Sequence, residues 1–173
     1  MPAILLVLGV FGVLTSGPFD DLGKLPALKR FREEVGTFPL ASHGGTILAR
    51  KSYSDGIRRL TVDAVSFPRG TDLSKVVHDR DWGRQGAAVP ISLPEFERKG
   101  FRIHYVAQPR YLETDVLSGR IWVQIGLLRE KSLKTTVLDT KKQISADLRS
   151  DVETCNLLKV LLPQIQKLAK RAH

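Results

Sequence analysis

The feature that most constrains this chain is a change of period. In residues 46–66 and again in 101–126, apolar residues return at every second position, in runs broken by short glycine-bearing turns. From Leu148 to Leu168 they return at every third or fourth. A period of two puts alternate side chains on opposite faces of a strand, and a period near 3.6 draws one stripe along a helix. Strands that follow one another, with a helix at the end, favour an antiparallel sheet over a parallel one with crossover helices. The expectation is an α+β domain. It has four or five antiparallel strands, with a long C-terminal helix and a short N-terminal one packed on one face.

The elements follow from local patterns. In TILARKSYSDGIRRLTVDAVSF the Ser54-Asp55-Gly56 turn separates two extended runs, which reads as a hairpin. On its second run Leu60, Val62 and Ala64 share one face, and Arg59, Thr61 and Asp63 the other. Further on, Phe101, Ile103 and Tyr105 point one way and Arg102 and His104 the other. After Ser118-Gly119, Ile121, Val123 and Ile125 alternate with Arg120, Trp122 and Gln124. A further strand in SLKTTVLDT completes a meander. In LPALKRFREEV, Pro26 suits a first helical turn, and Leu28, Phe31 and Val35 fall on one face of a helix over 26–35. Residues 71–95 read as a short helix through LSKVVHD, capped by Thr71 or Asp72, and then a long loop. A loop of that length either carries function or hides an element. The last helix starts after Ser145 as its cap and buries Leu148, Val152, Cys155, Leu158, Leu162, Ile165 and Leu168, with Pro163 expected to kink it.

The N-terminal end is of another kind. Ala3 to Leu14 is an uncharged run of twelve followed by Thr15, Ser16 and Gly17. It falls short of the roughly 20 residues that a membrane-spanning helix needs. Its length and its small-residue flank match a secretory signal, although no Lys or Arg precedes it. Residues 1–16 are therefore expected to be a signal or hydrophobic N-terminal segment. Residues 17–173 then form a single domain in an extracytoplasmic location. If the segment stays attached, it is a buried first element or an anchor to a membrane or partner.

Twenty-seven Lys and Arg against eighteen Asp and Glu give a net charge of +9. Such an excess favours anionic neighbours. No block of five or six like charges appears, so nucleic acid is open as a partner without a motif to support it. The lone Cys155 excludes an internal disulfide and a cysteine-based zinc site, and its place in the apolar stripe points to an inert buried thiol. His43-Gly44-Gly45 lacks the longer glycine pattern and the lysine of a phosphate loop. His78 lies in HDRD without a second histidine at ligand spacing and with Arg80 among the acids, so a solvated helix end is expected there and no metal site. Glu113 and Asp115, two apart, are expected to be hydrated. No cofactor is implied.

What remains is a set of residues of one parity, opposite the helix: Arg59, Arg102, His104, Arg120, Trp122 and Gln124. An exposed Trp between guanidinium groups stacks on planar ligands, and Arg binds carboxylate or phosphate. The competing expectation is that the 82–95 loop or the N-terminal helix covers Trp122, with its N–H bonded locally. The sequence points to an exported, non-catalytic binding domain engaging an anionic or protein partner through the outer face of its sheet. The alternatives are a hydrolase acting on a phosphorylated or nucleic-acid substrate with His104 or His78 as acid/base, and a membrane-associated interaction protein that keeps its N-terminal segment.

Overall fold

The computed structural model describes residues 17–35, 44–83, 88–91, 93–106, 111–129 and 151–172. The signal-like segment, the strand expected in SLKTTVLDT, and Ser145 and Leu148 at the expected start of the last helix lie outside these residues. Seven strands form one antiparallel sheet: β1 (Arg32–Glu34), β2 (Thr46–Ser54), β3 (Arg58–Ser66), β4 (Ala88–Ile91), β5 (Ile103–Val106), β6 (Tyr111–Ser118) and β7 (Ile121–Arg129). Their order across the sheet is β1-β2-β3-β7-β6-β5-β4. The described residues also form the helices α1 (Leu73–Gly83), the single turn α2 (Pro94–Glu97) and α3 (Val152–Arg171).

The α+β class and the C-terminal helix agree with the periodicity, but four or five strands was an undercount. One missed strand, β1, comes from the segment expected to be helical over 26–35. That segment instead forms two 3-10 turns, Leu22–Lys24 and Pro26–Leu28, before β1. Leu28 is buried and Phe31 packs against the core, while Val35 is fully exposed, so the helical stripe is never filled. A helix of two or three turns nucleates poorly on its own. Pairing with the edge of β2, Arg32 to Ser54 and Glu34 to Ser52, satisfies this backbone instead.

A second missed strand, β4, lay in the supposed loop of residues 71–95, and a third, β6, runs between the expected strand that starts at Phe101 and the Ser118-Gly119 turn. Pro90 hides it, because proline argues against a strand except at a sheet edge, and β4 is the edge. The helix ahead of it is longer than LSKVVHD. Asp72 is the cap, its Oδ1 accepting from the amides of Ser74 at 3.0 Å and Lys75 at 3.2 Å.

The sheet is covered on both faces. On one, Leu158, Leu161, Leu162 and Ile165 of α3 pack with Leu60, Val62, Leu112, Val116, Val123 and Ile125 in the main core. Asp151 caps α3 by accepting from the Thr154 amide at 3.1 Å, and the helix runs through Pro163 to Arg171. On the other face Leu73 and Val77 of α1 pack with Val65, Phe67 and Trp122 in a second, smaller cluster. Each side chain so buried contributes about 1.5–3 kcal/mol of transfer free energy. No helix of the described residues is long and apolar enough to cross a membrane.

Candidate functional site

The expected parity is present, but the expected solvent is not. His104, Trp122 and Gln124 do lie on the face opposite α3, yet Trp122 and Gln124 are 0% exposed and His104 is 9% exposed. Among the described residues the element packed on Trp122 is α1, through Leu73 and Val77. Trp122 stacks on Phe67 with ring centroids 6.1 Å apart, and its Nε1–H donates to Asp115 Oδ1 at 2.8 Å. Of the other residues expected on that face, Arg102 and Arg120 are exposed. Arg59, partly exposed, donates to Glu34 Oε2 at 3.0 Å.

Beneath α1 lies a charged cluster that the sequence reading missed. Arg80 is buried, and its guanidinium meets Glu113 Oε1 at 2.9 Å and Asp115 Oδ1 and Oδ2 at 2.8 and 2.6 Å. The Arg80, Glu113 and Asp115 side chains are 1%, 1% and 8% exposed, so the two carboxylates expected to be hydrated are dry. The same guanidinium sits 5.0 Å above the Trp122 ring, a cation–π contact. A signal was available: Leu73, Val77 and Arg80 recur at helical spacing, which puts Arg80 on the inward stripe of α1. Asp63, Gln124 and Asp115 are in register across β3, β7 and β6. Burial pushes the Asp63 carboxyl up, and its hydrogen bond and charge contact with Arg50 oppose that shift. Among the described residues neither end of the Gln124 amide has a hydrogen-bond partner.

Beside this cluster the sheet has a notch. β5 begins at Ile103, paired with Thr114, whereas β6 continues to Ser118. Residues 115–118 therefore have no strand neighbour on that side among the described residues. The reason lies in the end of α2. Gly100, at φ +79°, allows a left-handed turn in which the Phe101 amide returns to the Phe96 carbonyl at 3.1 Å and the Gly100 amide to Glu97 at 2.9 Å. With its amide so used, the chain ahead of β5 does not continue the ladder. The Phe101 side chain is buried in the core.

Register settles which backbone groups face the notch. The Phe67 amide donates to the Arg120 carbonyl at 2.9 Å, so Arg120 directs its main chain toward β3. Ile121 then pairs with Ser118, and by alternation Ser118 and Val116 bond to β7 while Asp115 and Leu117 turn outward. A cavity of about 670 Å³ opens there. Ser74, Val77 and His78 of α1 and His104 and Leu117 of the strands line it from one face, and Phe101, Val116 and Gln166 from the other, with Arg102 beside them. The cavity thus brings together Arg102, His104 and His78 and leaves out Arg59, Arg120, Trp122 and Gln124.

The arrangement offers an outward main-chain edge, apolar walls and cationic or titratable side chains at the rim. Asp115, which also lines it, is held in place by Arg80 and Trp122. Among the described residues no group of three His, Cys, Asp or Glu side chains is placed to hold a metal. Cys155 is buried, and burial raises its thiol pKa, which keeps it in the unreactive thiol form. Comparison with protein-family models, with characterised proteins and with solved structures found no match for this chain.

Proposed function

We propose that this chain is an exported, non-catalytic binding domain that takes an extended segment of a protein partner into the notch beside β6. The observation that carries the reading is that, among the described residues, β6 outruns β5 by four residues, with a cavity along that edge. An extended peptide laid there continues the line of β5. It gains main-chain hydrogen bonds from Asp115 and Leu117, while alternate side chains enter the cavity. Arg102 at the rim favours a segment with an acidic residue. Trp122 then acts from below, by holding Asp115. The uncharged run Ala3–Leu14 with its small-residue flank supports export.

The test is selection of eight-residue peptides from a display library on the immobilised chain, followed by Leu117→Pro. Proline is tolerated at an edge position whose N–H points away from the neighbouring strand. The variant should fold and lose binding tenfold or more, while Leu117→Ala keeps most of it. Equal binding to Leu117→Pro, or a library that yields no binder, ends the reading.

A second reading has one observation in its favour: His78 and His104 both line the cavity, with Ser74 one helical turn from His78. Two imidazoles facing one cavity are the elements of acid/base hydrolysis of an ester or phosphodiester. Turnover of p-nitrophenyl acetate or bis(p-nitrophenyl) phosphate that disappears in both His78→Gln and His104→Gln would put this reading first. Background rates in the unmodified chain remove it.

A further inference from the structure

A second cleft lies at the end of the sheet, where the turn after β3 meets the tip of the β6–β7 hairpin. Arg69, Gly70, Thr71, Gly119 and Arg120 line a space of about 330 Å³ there. Several arginines of the sheet and α1 are matched with acids: Arg50 with Asp63, Arg58 with Asp55, Arg59 with Glu34, Arg80 with Glu113 and Asp115. Arg69 and Arg120 line a cleft that has no acidic residue among the described residues that line it. The nearest acid in sequence, Asp72, has Oδ1 committed to the amides of Ser74 and Lys75 at the start of α1.

The two turns are fixed to each other. The Phe67 amide donates to the Arg120 carbonyl at 2.9 Å, the Thr71 amide to the Pro68 carbonyl at 3.3 Å, and Phe67 stacks on the buried Trp122. Gly70 at φ +85° and Gly119 at φ +54° make both turns tight and leave main chain on the cleft's walls. A side-chain carbon added at Gly70 would meet nothing within 4 Å, so the space above it is open.

Arg69 and Arg120 line one cleft, and the planar donor forks of two arginines match the oxygens of a tetrahedral oxyanion. We propose that this cleft is a binding site for a phosphoryl oxyanion, held between Arg69 and Arg120. It is separate from the notch beside β6 and does not depend on a peptide binding there.

The experiment is calorimetric titration of the full chain at about 0.15 M salt, where the Debye length of about 8 Å screens diffuse attraction. One arm uses inorganic phosphate and the other a blocked phosphoserine, which separates a free ion from a phosphate carried on a chain. Saturable binding in either arm is expected. Arg69→Gln and Arg120→Gln should each weaken it tenfold or more, and Arg32→Gln, on β1 at the edge of the sheet, should leave it within twofold. No saturable binding in either arm overturns the proposal. So does a loss in Arg32→Gln equal to that in the cleft variants, which would show only diffuse attraction to a basic protein.

Discussion

Replacing Arg80 by methionine tests the buried cluster most directly. The wild-type guanidinium meets two carboxylates at 2.6–2.9 Å, with all three side chains under a tenth exposed. Arg80→Met keeps an apolar stem over Trp122 and removes the charge and its donors. Glu113 and Asp115 are then left beneath α1 without their shared cation. Taking one partner from a buried pair costs about 3–5 kcal/mol, because the remaining charge keeps its desolvation penalty. A domain of this size has only about 5–15 kcal/mol in total, so the loss is a large fraction of its stability.

The assay is urea unfolding followed by tryptophan fluorescence, since Trp122 sits under the cluster. The midpoint should fall steeply for Arg80→Met. It should recover most of the way in the triple variant Arg80→Met, Glu113→Gln, Asp115→Asn, in which none of the cluster's three charges remains. A loss under about 1 kcal/mol, the range of a surface ion pair, would refute the buried-cluster reasoning. Failure of the triple variant to recover would show instead that stacking of the planar guanidinium on Trp122, which methionine lacks, carries the stability.

Two further predictions rest on other residues. Gln124 is fully buried with both ends of its amide unpartnered among the described residues, so Gln124→Met should raise stability by about 1–2 kcal/mol in the same assay, and a loss would mean that the amide is satisfied in solution. Burial raises the Asp55 carboxyl, but hydrogen bonds from the Arg58 side chain and the amides of Arg58 and Ile57, with the Arg58 charge, outweigh it and hold the pKa below the usual 3.8. A carboxyl lowered in the folded state stabilises above its unfolded pKa and loses that contribution as pH falls through the folded value. The stability gap between wild type and Asp55→Asn should therefore be constant near neutrality and close below about pH 3.8. A gap unchanged down to pH 2 contradicts the assignment.

The sequence by itself determined the class of the fold and the division of side chains between faces. Ile103, Tyr105, Ile121, Val123 and Ile125 go to the core under α3, and His104, Trp122 and Gln124 go to the other face, because a strand's period of two admits only that choice. Parity says which residues share a face and is silent on what covers it. Here Leu73 and Val77 of α1 cover it, so the expected wet surface became a buried polar layer with Arg80 drawn into it. β1 and β4 escaped for a related reason: a three-residue strand and a strand with a proline become strands only because an edge is there to pair with. The notch is wholly tertiary. It depends on one glycine-terminated turn stopping β5 while β6 runs on, a mismatch of lengths between two chain segments that neither segment's pattern contains.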